Sequence, residues 1–99
     1  MAQRQPAFLD ALEKNDPDFY KAVSAFREAS RSTALDAKTG ILISLAIDAA
    51  TGATHGVKSI ARRARAQGVT DDEIRETLRI AATANMYQAL VTSANAYAE

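Results

Sequence analysis

At 99 residues, with no Pro/Gly/Ser-rich linker and no charge run to divide it, the chain has room for one compact domain, residues 1–99, and not for two. Lys plus Arg number 12 and Asp plus Glu number 12, so no global field draws the protein to nucleic acid or to an anionic membrane. There is no cysteine, which excludes disulfides and thiol catalysis within the chain, and with a single histidine neither a metal site nor any other cofactor is expected in one subunit.

A domain of this size buries only a little over ~60% of the surface its unfolded chain would expose. Apolar residues make up 47% of the chain, but many are alanines, which bring little area each, so self-association is expected to supply part of the burial. The beginning "MAQRQPAFLDALEKND" has no charged segment followed by an apolar core, and no run approaches 18 apolar residues. A soluble, cytoplasmic protein without membrane contact is the expectation.

Abundant Ala, Leu, Glu, Lys, Arg and Gln, with two prolines and four glycines, favour helix throughout, so the fold class is all-α. The first helix is placed over "PAFLDALEKN", with Phe8, Leu9 and Leu12 as its apolar face. Asp16 then offers a cap, Pro17 suits a first helical position and Asp18 complements the dipole. Phe19, Val23 and Phe26 recur at helical spacing, so the second helix should lay an aromatic stripe on something. "SRSTALDAKTG" reads as a loop, with Asp36 or Ser32 as the next cap. The following stretch is apolar nearly all round from Ile41 to Ile47, the pattern of a central, fully buried helix that Gly52 stops.

Thr54 is the expected cap of a fourth helix, whose Val57, Ile60, Ala61 and Ala64 form a stripe before Gly68 closes it. "TDDE" is a capping box, with Thr70 as cap and Glu73 reaching back. Its apolar pattern, Ile74, Leu78 and Ala81, can continue through "IAATANMYQALVTSANAYA", with Asn85 as the point where a kink or break is expected.

The ordered set Leu35, Lys38, Leu42, Ile43, Leu45, Ala46, Gly68, Val69, Thr70, Glu73, Ile74 and Glu76 resembles the core of the carboxymuconolactone decarboxylase superfamily, which includes the alkyl hydroperoxidase D-like proteins. The resemblance covers residues 35–82, about half of the chain. It implies a compact bundle of about five or six helices of the alkyl hydroperoxidase D-like type, built around a hairpin over residues 41–50 and 54–67. Trimers or hexamers are the assemblies it implies. Peroxidase-like members carry Cys-x-x-Cys-x-x-x-His with a glutamate twelve residues before the first cysteine. Counting back from Gly68, those places fall at Ile41 for the glutamate, Ala53 and Gly56 for the cysteines, and Ile60 for the histidine. None of these four residues can ionise or attack, so the resemblance implies the scaffold rather than its thiol chemistry.

His55 lies beside these places and four residues before Ser59, close enough to share a helix face. It is a candidate general base or acid, with Lys58 as catalytic partner, or it is a first-turn surface histidine without chemistry. Asp48, Ser59, Arg62 and Tyr87 are the candidate ligand contacts. Lys58, Arg62, Arg63 and Arg65 can bind a carboxylate or phosphate, or form a solvated face opposite "DDEIRE". Asp48, inside an apolar helix, needs a partner, for which Lys58 or an arginine of a neighbouring helix or subunit would serve, or else it has a ligand or proton role. Met86 and Tyr87 stand where many relatives break between helices; without that break the last two helices can run together.

Two function classes remain open. One is an oligomeric small-molecule-binding or assembly protein with no thiol peroxidase activity. The other is a cofactor-independent proton-transfer enzyme, a decarboxylase or isomerase of a small organic acid, using His55. Thiol peroxidase activity would require the cysteine of a partner protein.

Overall fold

A computed structural model describes residues 5–98. Among them there are five α-helices, a closing 3-10 turn and no strand. The chain forms two compact units, one ending at Thr33 and one starting at Ala34.

The first unit is a helical hairpin of α1 (Ala7–Asn15) and α2 (Pro17–Ala29). A single residue, Asp16, joins them: its N–H donates to Leu12 O at 2.8 Å, and its carboxylate accepts from Phe19 N at 3.3 Å. Tyr20 Oη donates to Gln5 Oε1 at 2.8 Å. Leu9 is fully buried, whereas Phe19 and Phe26 of the predicted stripe are 57% and 73% exposed.

The second unit holds α3 (Ala37–Thr51), α4 (Thr54–Ala66), α5 (Asp71–Ser93) and the 3-10 turn Ala94–Tyr97. Asp36 caps α3 through Thr39 N at 2.7 Å. Gly52, at φ 77°, ends it in the left-handed conformation that favours glycine, and Ala53 N closes the turn on Asp48 O at 2.9 Å. Gly68, at φ 86°, ends α4 the same way: Val69 N reaches Ala64 O at 3.0 Å and Gly68 N reaches Arg65 O at 3.1 Å. The capping box forms as expected, with Glu73 N to Thr70 Oγ1 at 3.1 Å and Thr70 N to Glu73 Oε1 at 2.9 Å.

α3 is the central element, packed on both α4 and α5. Ile41, Leu45, Ala64, Val69 and Ile74 form the core, with Leu42, Val57, Ile60, Ala61 and Leu78 packed around it. The expectation that α3 is buried all round is overturned, because Ile43 and Ile47 are 45% and 56% exposed. Within the second unit α4 and α5 cover only part of the circumference of α3, and Ile43 and Ile47 lie outside those contacts.

Two further expectations differ. Thr54 does not cap α4: it is already helical, and Ala53 stands at the cap without a side-chain bond. Asn85 is no break either, since α5 runs through it and its Nδ2 donates to Ala50 O at 3.0 Å. Its amide, which competes with the backbone elsewhere, is spent on the end of the neighbouring helix.

Candidate functional site

The α3–α4 corner sets Asp48, in the last turns of α3, beside the first turn of α4, which carries His55. The chain turns there within two residues, so the first turn of α4 lies beside the last turn of α3, with Thr54 N on Gly52 O at 2.9 Å and Val57 N on Ala53 O at 2.9 Å. The half-buried Asp48 carboxyl covers Gly56, in that first turn. A Cβ on residue 56 would lie 2.9 Å from Asp48 Cγ and closer still to Oδ2, so only glycine leaves the carboxyl its room. A carboxylate at this end of a helix is favourably placed against the dipole and the unbonded N–H groups, here where no side chain caps the helix.

His55, Lys58, Ser59 and Arg62 are exposed along α4. Tyr87 is 61% exposed on α5. Among the described residues, no side-chain hydrogen bond or ion pair joins any of these to another or to Asp48, so Lys58 does not pair with Asp48 within the chain. Arg65 instead reaches Asp71, Nε to Oδ1 at 2.9 Å, which holds the Asp71 carboxyl below its usual range.

The other shifted carboxylates are helix caps. The Thr39 backbone N–H holds Asp36 down, and the Thr70 N–H followed by the Lys38 ammonium holds Glu73 down. Lys38 Nζ lies 3.1 Å from Glu73 Oε2, tying the start of α3 to the start of α5. Thr70 and Glu73 form the capping box read in the sequence, and the Lys38–Glu73 pair is the contact at this end of the bundle that the sequence did not reveal. A separate open groove of about 240 Å³ between α3 and α5 is lined by Thr39, Leu42, Ile43, Ala46, Thr77 and Ile80 and is almost wholly apolar. No group of three or more His, Asp or Glu able to hold a metal ion occurs among the described residues, and none of their helices is long and apolar enough to cross a membrane.

The sequence model of the carboxymuconolactone decarboxylase family matches residues 17–99, from the first residue of α2 onward. The chain belongs to the carboxymuconolactone decarboxylase family. It is also 32% identical over 82 residues to an uncharacterized protein of Methanocaldococcus jannaschii, covering 81% of this chain and 77% of that one.

Membership in the carboxymuconolactone decarboxylase family gives the four implied positions a physical reading. Ile41, at the implied glutamate, is 7% exposed inside the core, and Ile60, at the implied histidine, packs against that core. Ala53, at the first implied cysteine, is the uncapped start of α4. At the second, Gly56, the volume of a side chain is taken by the Asp48 carboxyl. The contact between Asp48 and Gly56 was not legible in the sequence; the available signal was a glycine in a first helical turn following an acid in an apolar helix.

Proposed function

We propose that this carboxymuconolactone decarboxylase-family protein is an oligomeric small-molecule-binding or assembly protein of the cytoplasm, without thiol peroxidase activity. The observation that carries this reading is the packing at positions 41, 56 and 60: a core isoleucine, a half-buried isoleucine packed against that core, and a glycine whose side-chain space holds the Asp48 carboxyl. Neither a thiol nor an imidazole stands at the implied reactive positions, and the chain has no cysteine elsewhere. Exposed Ile43, Ile47, Ile80, Tyr87, Leu90 and Val91 support self-association, in trimers or in hexamers built from dimers or trimers of the same chain. A small organic acid is the ligand class in keeping with the cations of α4.

The test joins light-scattering mass with peroxide consumption in the presence of a dithiol. A multiple of the 10.6 kDa chain that consumes no peroxide above the uncatalysed rate is expected. A monomer, or dithiol-dependent turnover of peroxide, overturns the reading.

A second reading, proton transfer on a small acid by His55 with Lys58, is favoured by one observation. The half-buried Asp48 carboxylate is not neutralised by any described cation and lies against the turn that carries His55. Turnover of a small acid that is lost in His55→Ala, with the fold kept, would select it; binding that survives this substitution sinks it.

A further inference from the structure

Residues 80–98 contain no charged side chain in 19 consecutive positions, yet residues 82–98 are all exposed. A helix face that meets water normally carries charge, so a neutral stretch of this length is dressed for contact. α5 has 23 residues against 15 in α3, about 35 Å against about 22 Å. Its last buried residue is Ala81, and the Asn85 bond to Ala50 O ties it to the end of α3. Within the second unit the helix therefore continues as an arm past the helix that supports it, with the 3-10 turn packed at its end.

The arm has an ordered apolar seam. Ile80, Ala84, Tyr87 and Val91 follow one another at steps of four, three and four, the spacing of a helix-pairing seam. At 100° per residue this seam is centred roughly 120° away from the face of Ile74, Leu78 and Ala81 that meets the core. Ile80, Tyr87 and Val91 are 68%, 61% and 70% exposed, and Leu90 flanks them at 59%. With Ile43 and Ile47 of α3, these side chains present on the order of 700 Å², close to the ~800 Å² that one partner brings to a standard interface.

We propose that this arm is the self-association element of the protein: α5 of one protomer pairs antiparallel with α5 of a second copy, each Tyr87 ring over the partner's Ala84. The proposal rests on the self-assembling reading above and assigns its surface. The seam is self-complementary about a point between residues 84 and 87. A two-fold axis there sets large Tyr87 against small Ala84 and Ile80 against Val91, as an isologous contact requires. The same axis carries the partner's arm beyond residue 87 back along Ile80 and Thr77, which line the apolar groove of about 240 Å³. The chain thus supplies an apolar arm on α5 and an apolar recess between α3 and α5, and neither has charge that would select a charged partner.

The test uses the full chain, which has no native cysteine to interfere. Sedimentation equilibrium on the wild type and on Tyr87→Glu/Val91→Glu compares dissociation constants, with circular dichroism as the control for folding. Both side chains are exposed in the protomer, so helicity should be kept while dissociation rises by at least about a hundredfold. Separately, Ala84→Cys and Tyr87→Cys proteins are mixed and mildly oxidised; a cross-linked pair joining one of each should form faster than either homodimer. A wild type that stays monomeric at about 100 µM overturns both this proposal and the self-assembling reading. An oligomer of unchanged affinity after the charge substitutions leaves self-assembly standing and refutes this surface. Preferred cross-linking of Tyr87→Cys to itself refutes the antiparallel pairing.

Discussion

Replacing Gly56 by alanine is expected to leave stability unchanged in the wild type and to raise it when Asp48 is absent. On its own, the added Cβ would lie 2.9 Å from Asp48 Cγ, so the carboxyl must swing away from α4. Alanine gains about 0.5–1 kcal/mol of helix stability over glycine. The displaced carboxylate gives back about 0.3–1 kcal/mol of its interaction with the helix start. The net change in the wild type is therefore about zero. In Asp48→Ala the two closest atoms are gone, the next, Ala53 Cβ, lies at an ordinary 3.5 Å, and the full gain of about 0.5–1 kcal/mol should appear. Urea unfolding of the four proteins, at one protomer concentration so that association does not shift the midpoints, measures the cycle. Effects that add within about 0.3 kcal/mol would show that Asp48 does not occupy the space of residue 56.

Leu45→Ala, at a fully buried position in the core of the second unit, should cost about 2.5–5 kcal/mol in the same unfolding experiment. Asp36, Asp71 and Glu73 all have carboxyls held below their usual range in the folded chain. The stability they contribute is complete above the unfolded carboxylate range and disappears as the pH falls through their lower folded values. Unfolding followed from neutral to acid pH should show that loss, and Glu73→Gln should make its acid limb shallower; an unchanged limb would remove Glu73 from the explanation.

What could be read in the sequence was mostly local. Asp16 before Pro17, Asp36, Gly52, Gly68 and the Thr70–Glu73 box mark helix ends through bonds that span only a few residues, and the structure has them all. Thr54 carried a cap signal of the same kind, but the two-residue turn after Gly52 draws it into the helix. Asn85 read as a break because its amide competes with the backbone; its partner, Ala50 O, lies 35 residues away in sequence and only the packing of α5 on α3 supplies it. The all-apolar run of α3 suggested full burial, although Ile43 and Ile47 face outward in the protomer. Burial against other copies is consistent with such a run but cannot be separated from burial within one chain by periodicity. The candidate site was legible as a location, the α3–α4 corner. Which groups meet there was not, since the approach of Asp48 to Gly56 depends on how two helices dock.

The central claim is that the implied reactive positions have become packing, and unfolding of Ile41→Glu tests it most directly. Ile41 is 7% exposed among Leu45, Ala64, Val69 and Ile74, with no described cation paired there. A carboxyl at that position must be buried without a partner, so a loss of at least about 3 kcal/mol at neutral pH is expected, smaller in acid where the group is neutral. Stability within about 1 kcal/mol of the wild type at neutral pH would mean that a hydrated pocket is open at position 41, and would contradict the account.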